Sequence, residues 1–127
     1  MRYLLDTTLI IDHANGHEPA MALLHRLYEQ GAELFTCDVV VCEALSGGSD
    51  EHRAVVSRLL KPLEFVATDP AAARAAGDAR RERHRAGGHL GLGASLIAAT
   101  AQGIGATIVT RNRPDFERQG VPVLAYP

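Results

Sequence analysis

Three acidic side chains, Asp6, Glu43 and Asp115, are the residues of this 127-residue chain best suited to chemistry, because each follows an apolar run that reads as a strand. Asp6 ends Met1-Arg-Tyr-Leu-Leu, Glu43 rides on a helix that follows a strand, and Asp115 comes after Ala106-Thr-Ile-Val-Thr-Arg-Asn-Arg-Pro. Carboxylates gathered at one edge of a sheet repel one another, so they are tolerated mainly where a hard cation such as Mg²⁺ or Mn²⁺ neutralises them. Each acid also has a plainer reading. Asp6 is placed as a helix cap would be, Glu43 could point to solvent, and Asp115 could cap a turn after Pro114. Glu43 resists that reading most. Its surroundings, Val39-Val-Val-Cys-Glu-Ala-Leu, are otherwise apolar, and a core-facing glutamate costs several kcal/mol unless paired or metal-bound.

The elements that must position these acids are legible from period and punctuation. Tyr3-Leu4-Leu5 reads as a buried strand followed by a helix start at Asp6-Thr7-Thr8. Glu18-Pro19 opens a helix with Met21, Leu23, Leu24, Leu27 and Tyr28 at helical spacing and Gly31 as its stop. Leu34 to Cys37 is a second strand, and Asp38 is placed to cap a helix from Val39 to Leu45 that Gly47-Gly48 terminates. Ser49-Asp50-Glu51 starts a helix ending at Pro62, and Glu64 to Ala67 is a short strand. Asp69-Pro70 opens an alanine-rich helix running to Arg85, before Gly87-Gly88. Leu96 to Ala101 is a small-residue helix, Thr107 to Val109 a buried strand, and Val121 to Leu124 an edge strand containing a proline. Strands separated by helices imply an α/β fold in three layers, with a mostly parallel sheet of four to five strands and helices on both faces. Ligands of such sheets bind beyond the carboxyl ends of the strands at a topological switch point, where the three acids are expected to converge.

Length and composition set the limits. A chain of 127 residues fits one domain spanning residues 1–127 and buries roughly two thirds of its unfolded surface, enough for an ordinary core. Cys37 and Cys42 lack partners at zinc-ligand spacing and read as small buried hydrophobes. No export signal or long apolar stretch appears, so a cytoplasmic location is expected. The net charge of −2 excludes a uniformly basic nucleic-acid binder, yet the positive charge is clustered and almost all arginine, Lys61 being the only lysine. Arg80, Arg81, Arg83 and Arg85 crowd one segment and Arg111 and Arg113 another. They are candidates for bidentate contact with phosphate or carboxylate, beside the plainer reading of a solvated helix face. His84 and His89 lie near the first cluster and read as surface residues. Basic and aromatic residues are not interleaved, so base stacking is not indicated.

Tyr3-Leu-Leu-Asp6-Thr-Thr, Val41-Cys-Glu43-Ala-Leu, Leu96-Ile-Ala-Ala-Thr-Ala and Thr110-Arg-Asn112-Arg-Pro-Asp115-Phe116 resemble, in order and spacing, the blocks of PIN-domain ribonucleases, especially VapC-type toxins of bacterial toxin–antitoxin pairs. The resemblance covers essentially the whole chain. It implies that Asp6, Glu43 and Asp115 belong to an acidic metal-binding set for Mg²⁺ or Mn²⁺, with Thr110 and Asn112 as flanking polar residues. It also implies an aspartate two places before the Leu-Ile-Ala-Ala-Thr-Ala block, where this chain has Ala94. Ala94 coordinates nothing, so the copy is a natural weakened member or one whose aspartate was replaced. The implied activity is metal-assisted hydrolysis of RNA phosphodiesters, with a cognate VapB-type antitoxin and a homodimer as partners. The rival from another class is a non-catalytic module that keeps the fold and its binding surface.

Other carboxylate-bearing α/β enzymes fit less well. A haloacid-dehalogenase-type phosphatase needs Asp-x-Asp, and the second position here is Thr8. A receiver domain needs a lysine on a late strand, and Lys61 is not there. Gly93-Ala-Ser95-Leu-Ile lacks the closing glycine of a nucleophile elbow, and no glycine-rich loop ends in Gly-Lys-Ser/Thr.

Overall fold

A computed structural model describes all residues 1–127. Its sheet is built outward from β1 (Arg2–Leu5) and β4 (Thr107–Thr110), each of which holds residues among the most deeply buried of the sheet. Leu4, Leu5, Ile108 and Val109 have no exposed surface, as strands covered on both faces require. β1 and β4 pair in parallel with Leu4 opposite Ile108, and β2 (Glu33–Cys37) pairs with the other side of β1. β3 (Glu64–Val66) and β5 (Val123–Ala125) form the edges, giving the order β3-β2-β1-β4-β5 with every pairing parallel. Chain order runs one way from β1 to β3 and the other way from β4 to β5, so the switch point lies between β1 and β4.

Seven helices flank this sheet: α1 (Thr7–Ala14), α2 (Glu18–Glu29), α3 (Asp38–Ala44), α4 (Asp50–Leu60), α5 (Pro70–Arg85), α6 (Leu92–Gly103) and α7 (Arg113–Glu117). The expected α/β architecture is therefore present, with five parallel strands. No helix is long and apolar enough to cross a membrane.

Several local readings are corrected. α6 begins at Leu92 rather than Leu96, because Gly91 takes the N-cap position and Gly93 is accommodated in the first turn; Ala94 is thereby helical. Asp38 does not cap α3. It is the first helical residue, and its carboxylate reaches across to accept from the backbone N–H and hydroxyl of Thr68 at 3.2 and 2.9 Å, tying α3 to the segment after β3. On α2 the apolar stripe is narrower than its spacing suggests: Leu23, Leu24 and Leu27 are buried, but Met21 and Tyr28 are exposed. Cys37 is buried as expected, whereas Cys42 is exposed.

The sheet centre has no slack. Replacing Ile108 with alanine is expected to cost about 2–5 kcal/mol through lost burial and the cavity left behind. The check is a lowered urea midpoint at an unchanged denaturant slope.

Candidate functional site

The backbone of Asp6 already does two jobs at the switch point. Its N–H donates to the Val109 carbonyl at 3.0 Å, extending the β1–β4 pairing by one residue, and its carbonyl accepts the first helical bonds of α1 from Leu9 and Ile10. The side chain is thus not needed as a cap, and it makes no capping bond. Instead one oxygen, Oδ2, accepts from Thr8 Oγ1 at 3.0 Å and from Thr110 Oγ1 at 2.7 Å. Each hydroxyl has one proton, and both are spent on that oxygen.

Asp6 is only 5% exposed. Burial pushes its carboxyl above the usual value of 3.8. The Thr110 and Thr8 hydroxyls and the Thr7 backbone pull it back, and the charge of Glu43 pushes it up again. A buried carboxylate beside a second one, with no basic side chain bonded to it, is an electrostatic debt that a cation would discharge.

Glu43 does not face the core. It is exposed on α3, yet its Oε1 accepts from Thr7 Oγ1 at 2.7 Å, which turns it toward Asp6. Asp6, Glu43, Ala94 and Asn112 line one cleft of about 280 Å³, walled by Ile97 and Phe116. Ala94, in the first turn of α6, presents only a methyl group to it. Gly93 beside it lies so close to the Glu43 carboxylate that an added Cβ would collide with Oε2, so any side chain there would displace Glu43.

Asp115 is not part of the cleft lining. It sits on the short helix α7, where its Oδ2 accepts from Asn112 Nδ2 at 2.7 Å. Asn112 in turn is fixed by its backbone N–H, which donates to Thr110 Oγ1 at 2.9 Å. The expected convergence of three acids is therefore incomplete: Asp6 and Glu43 share the cleft, and Asp115 connects to it through Asn112. No group of three or more His, Cys, Asp or Glu side chains is close enough to hold one ion.

The arginines divide as well. Arg111 Nε pairs with Asp12 Oδ2 at 3.2 Å, and Arg113 pairs with Glu117 one helical turn on. Arg80, Arg81 and Arg85 are exposed on α5, with Arg83 partly buried.

The PIN-domain family model matches residues 3–121. The chain belongs to that family. Ribonuclease VapC19 of Mycobacterium tuberculosis is 31% identical over 115 residues, covering 89% of this chain and 90% of that one, which places the chain among PIN domains of the VapC type. Among solved structures, DNA-bound VapBC from Salmonella typhimurium superposes with a TM-score of 0.84 at 26% identity over 98% of each chain. VapBC2 from Rickettsia felis, bound to a promoter DNA fragment, gives 0.85 at 22% identity over the full length of both.

Within this PIN domain, Thr110 and Asn112, expected as flanking polar residues, bond Asp6 and Asp115, whereas no role was expected of Thr7 and Thr8, which bond Glu43 and Asp6. Thr7 and Thr8 follow Asp6 directly, and a threonine pair at a helix start was the available signal. Thr8 Oγ1 also accepts from the Arg111 backbone N–H at 3.3 Å, so α1 grips the loop after β4. One turn along α1, Asp12 receives both Arg111 and the Tyr126 hydroxyl, the latter at 2.7 Å in a buried bond. That long-range link to the chain's end left no local mark.

The cleft's donors are all oxygens, which suits a hard divalent cation that keeps several of its waters. In the metal-free protein the folded state holds the Asp6 proton more tightly than the unfolded chain does. Its contribution to stability is then fully present at acid pH and is lost as pH rises from 3.8 through the raised value. Asp6→Asn is expected to raise the melting temperature by several degrees at neutral pH in EDTA, with the gain shrinking as pH falls into the carboxylate range. A less stable variant at neutral pH contradicts this. Tyr126→Phe leaves Asp12 one donor short and is expected to cost about 1.5–3 kcal/mol in urea unfolding.

Proposed function

We propose that the chain is the toxin of a type II toxin–antitoxin pair, a PIN-domain endoribonuclease whose hydrolysis of RNA phosphodiesters depends on Mg²⁺ or Mn²⁺, and that Ala94 leaves this copy impaired. The observation that carries the reading is the cleft itself, two carboxylates held by threonine hydroxyls at the switch point of a PIN fold, with the Ala94 methyl group in the same lining. Support for the class comes from the likeness to a VapC ribonuclease, and support for an antitoxin partner from the likeness to VapBC complexes. The reading also carries a homodimer and action in the cytoplasm.

Asp6 and Glu43 would hold the cation, with Asp115, whose Oδ2 is bonded to Asn112, as a further carboxylate outside the cleft lining. A bound divalent cation supplies the charge that polarises the phosphoryl group, favours ionisation of the attacking water and offsets the leaving oxygen. The protein's own part is positional. Thr8 and Thr110 fix the Asp6 carboxylate, Thr7 fixes Glu43, and Asn112 lines the cleft where a phosphate oxygen or ribose hydroxyl would lie. An aspartate at position 94 would fall in the first turn of α6, which has no acidic residue, where the helix dipole favours a negative charge by about 0.3–1 kcal/mol.

The chain with Ala94 is expected to cleave single-stranded RNA near background in Mg²⁺ or Mn²⁺. Ala94→Asp is expected to raise the rate on the order of 100-fold, the scale set by about 1 Å of misplacement at a reacting centre. In that background Asp6→Asn or Glu43→Gln should remove the gain. The absence of a three-carboxylate cluster favours a second reading, a binding module that performs no catalysis. Equal, background-level cleavage by the two chains, with no cation bound by calorimetry, would decide for that reading.

A further inference from the structure

The C-terminal half of α5 carries its charge on two stripes with different surroundings. Arg80, Arg81 and His84 fall on one, and with His89 of the α5–α6 loop they line a cavity of about 340 Å³. Arg83 falls on the other. Its side chain lies against Gly88, where an added Cβ would come within 2.7 Å, and it lines a neighbouring cavity with Glu82 and Arg118. Arg85 lines neither.

Three observations separate the first cavity from a merely solvated face. None of its four basic side chains has a carboxylate partner; the protein's ion pairs are Arg2–Glu33, His25–Glu29, Arg111–Asp12 and Arg113–Glu117. The only bond any of them makes within the protein is from Arg80 Nε to the Leu90 carbonyl at 3.1 Å, which pins the loop and shapes the cavity. Like charges one turn apart on a helix disfavour it unless an anion intervenes, and here Arg80 has Arg83 three residues on and Arg81 has Arg85 four residues on.

The second consideration is place. Leu90 lines this cavity and Ala94 lines the acidic cleft. They are four positions apart in the chain, a span of at most about 14 Å even when fully extended. A cation-rich cavity and an acidic cleft thus lie along one short stretch of chain. Leu90 is the sole hydrophobic residue in the cavity lining, so there is no apolar wall to seat a peptide side chain. The donors are instead those that match phosphate oxygens, two guanidinium forks and two imidazoles.

We propose that this cavity binds a backbone phosphate of the RNA, holding the strand beside the cleft at a point removed from the scissile bond. The assignment rests on the ribonuclease reading. It divides the arginines: Arg80 and Arg81 take phosphate, while Arg111 and Arg113 spend their charge on Asp12 and Glu117.

The test is fluorescence anisotropy of a labelled, mixed-sequence single-stranded RNA with the intact chain, without divalent cations, across a salt series. Arg81→Gln is expected to weaken binding about tenfold and to reduce the salt slope by about 0.7, the loss of one phosphate contact on a single strand. His84→Gln, a second exposed substitution, should weaken binding in the same direction. Arg58→Gln, on α4 and outside the cavity, should change affinity less than twofold. If Arg81→Gln and His84→Gln match Arg58→Gln, the cavity assignment is overturned and the ribonuclease reading stands on the Ala94→Asp result. If the unaltered chain binds no RNA, the ribonuclease reading falls with it. Poly-glutamate that binds and is lost in Arg81→Gln, while RNA binding is unchanged, overturns the proposal in favour of an acidic protein partner.

Discussion

A single carboxylate oxygen, Oδ2 of Asp6, organises the centre of this protein. Two hydroxyls from opposite sides of the switch point, Thr8 on α1 and Thr110 at the end of β4, both point their protons at it. The same hydroxyls accept backbone N–H groups from the loop that follows β4, Arg111 to Thr8 and Asn112 to Thr110. Burying that carboxylate without a balancing charge is costly, so the residue whose backbone extends the β1–β4 pairing also carries a charge that burial disfavours. The carboxylate is therefore held by hydroxyls on both sides while its charge stays unbalanced by any basic side chain.

The position of the other groups follows from that centre. Glu43 arrives from α3 and is turned inward by Thr7; Asn112 arrives from the β4 end and carries Asp115 with it. Asp12 and Tyr126 then lock the Arg111 loop from behind, joining the last residues of the chain to the first helix. Tyr126 and Asp12 are therefore part of the apparatus that holds the loop carrying Asn112.

How much of this could be read from the sequence depended on whether the cause was local. The parallel sheet was legible because β1 and β4 carry short apolar runs, as strands buried on both faces must. Asp6 and Ala94 were identifiable from their blocks. What stayed hidden was set by distance in sequence. The Thr110 bond to Asp6 spans 104 residues and the Tyr126 bond to Asp12 spans 114, and neither leaves a period or a spacing to find. Glu43 misled because an acid in an apolar run suggests burial, whereas the short helix α3 simply rotates it to an exposed rim. Cys42 misled for the same reason. Asp38 misled because a residue at a helix start has two uses, and here the carboxylate serves a neighbouring segment instead of its own helix.

The two cysteines now stand in opposite circumstances. Cys37 lies within the sheet with no exposed surface, and burial pushes its thiol up to about 11, while Cys42 is exposed next to Glu43 in a groove with Leu92 and Leu96. A thiol must ionise to react, so an alkylating dye will find one sulfur and ignore the other. The chain therefore comes with a single, ready-made attachment point at the rim of its cleft, through which a fluorophore or spin label could report on whatever enters there without any added cysteine.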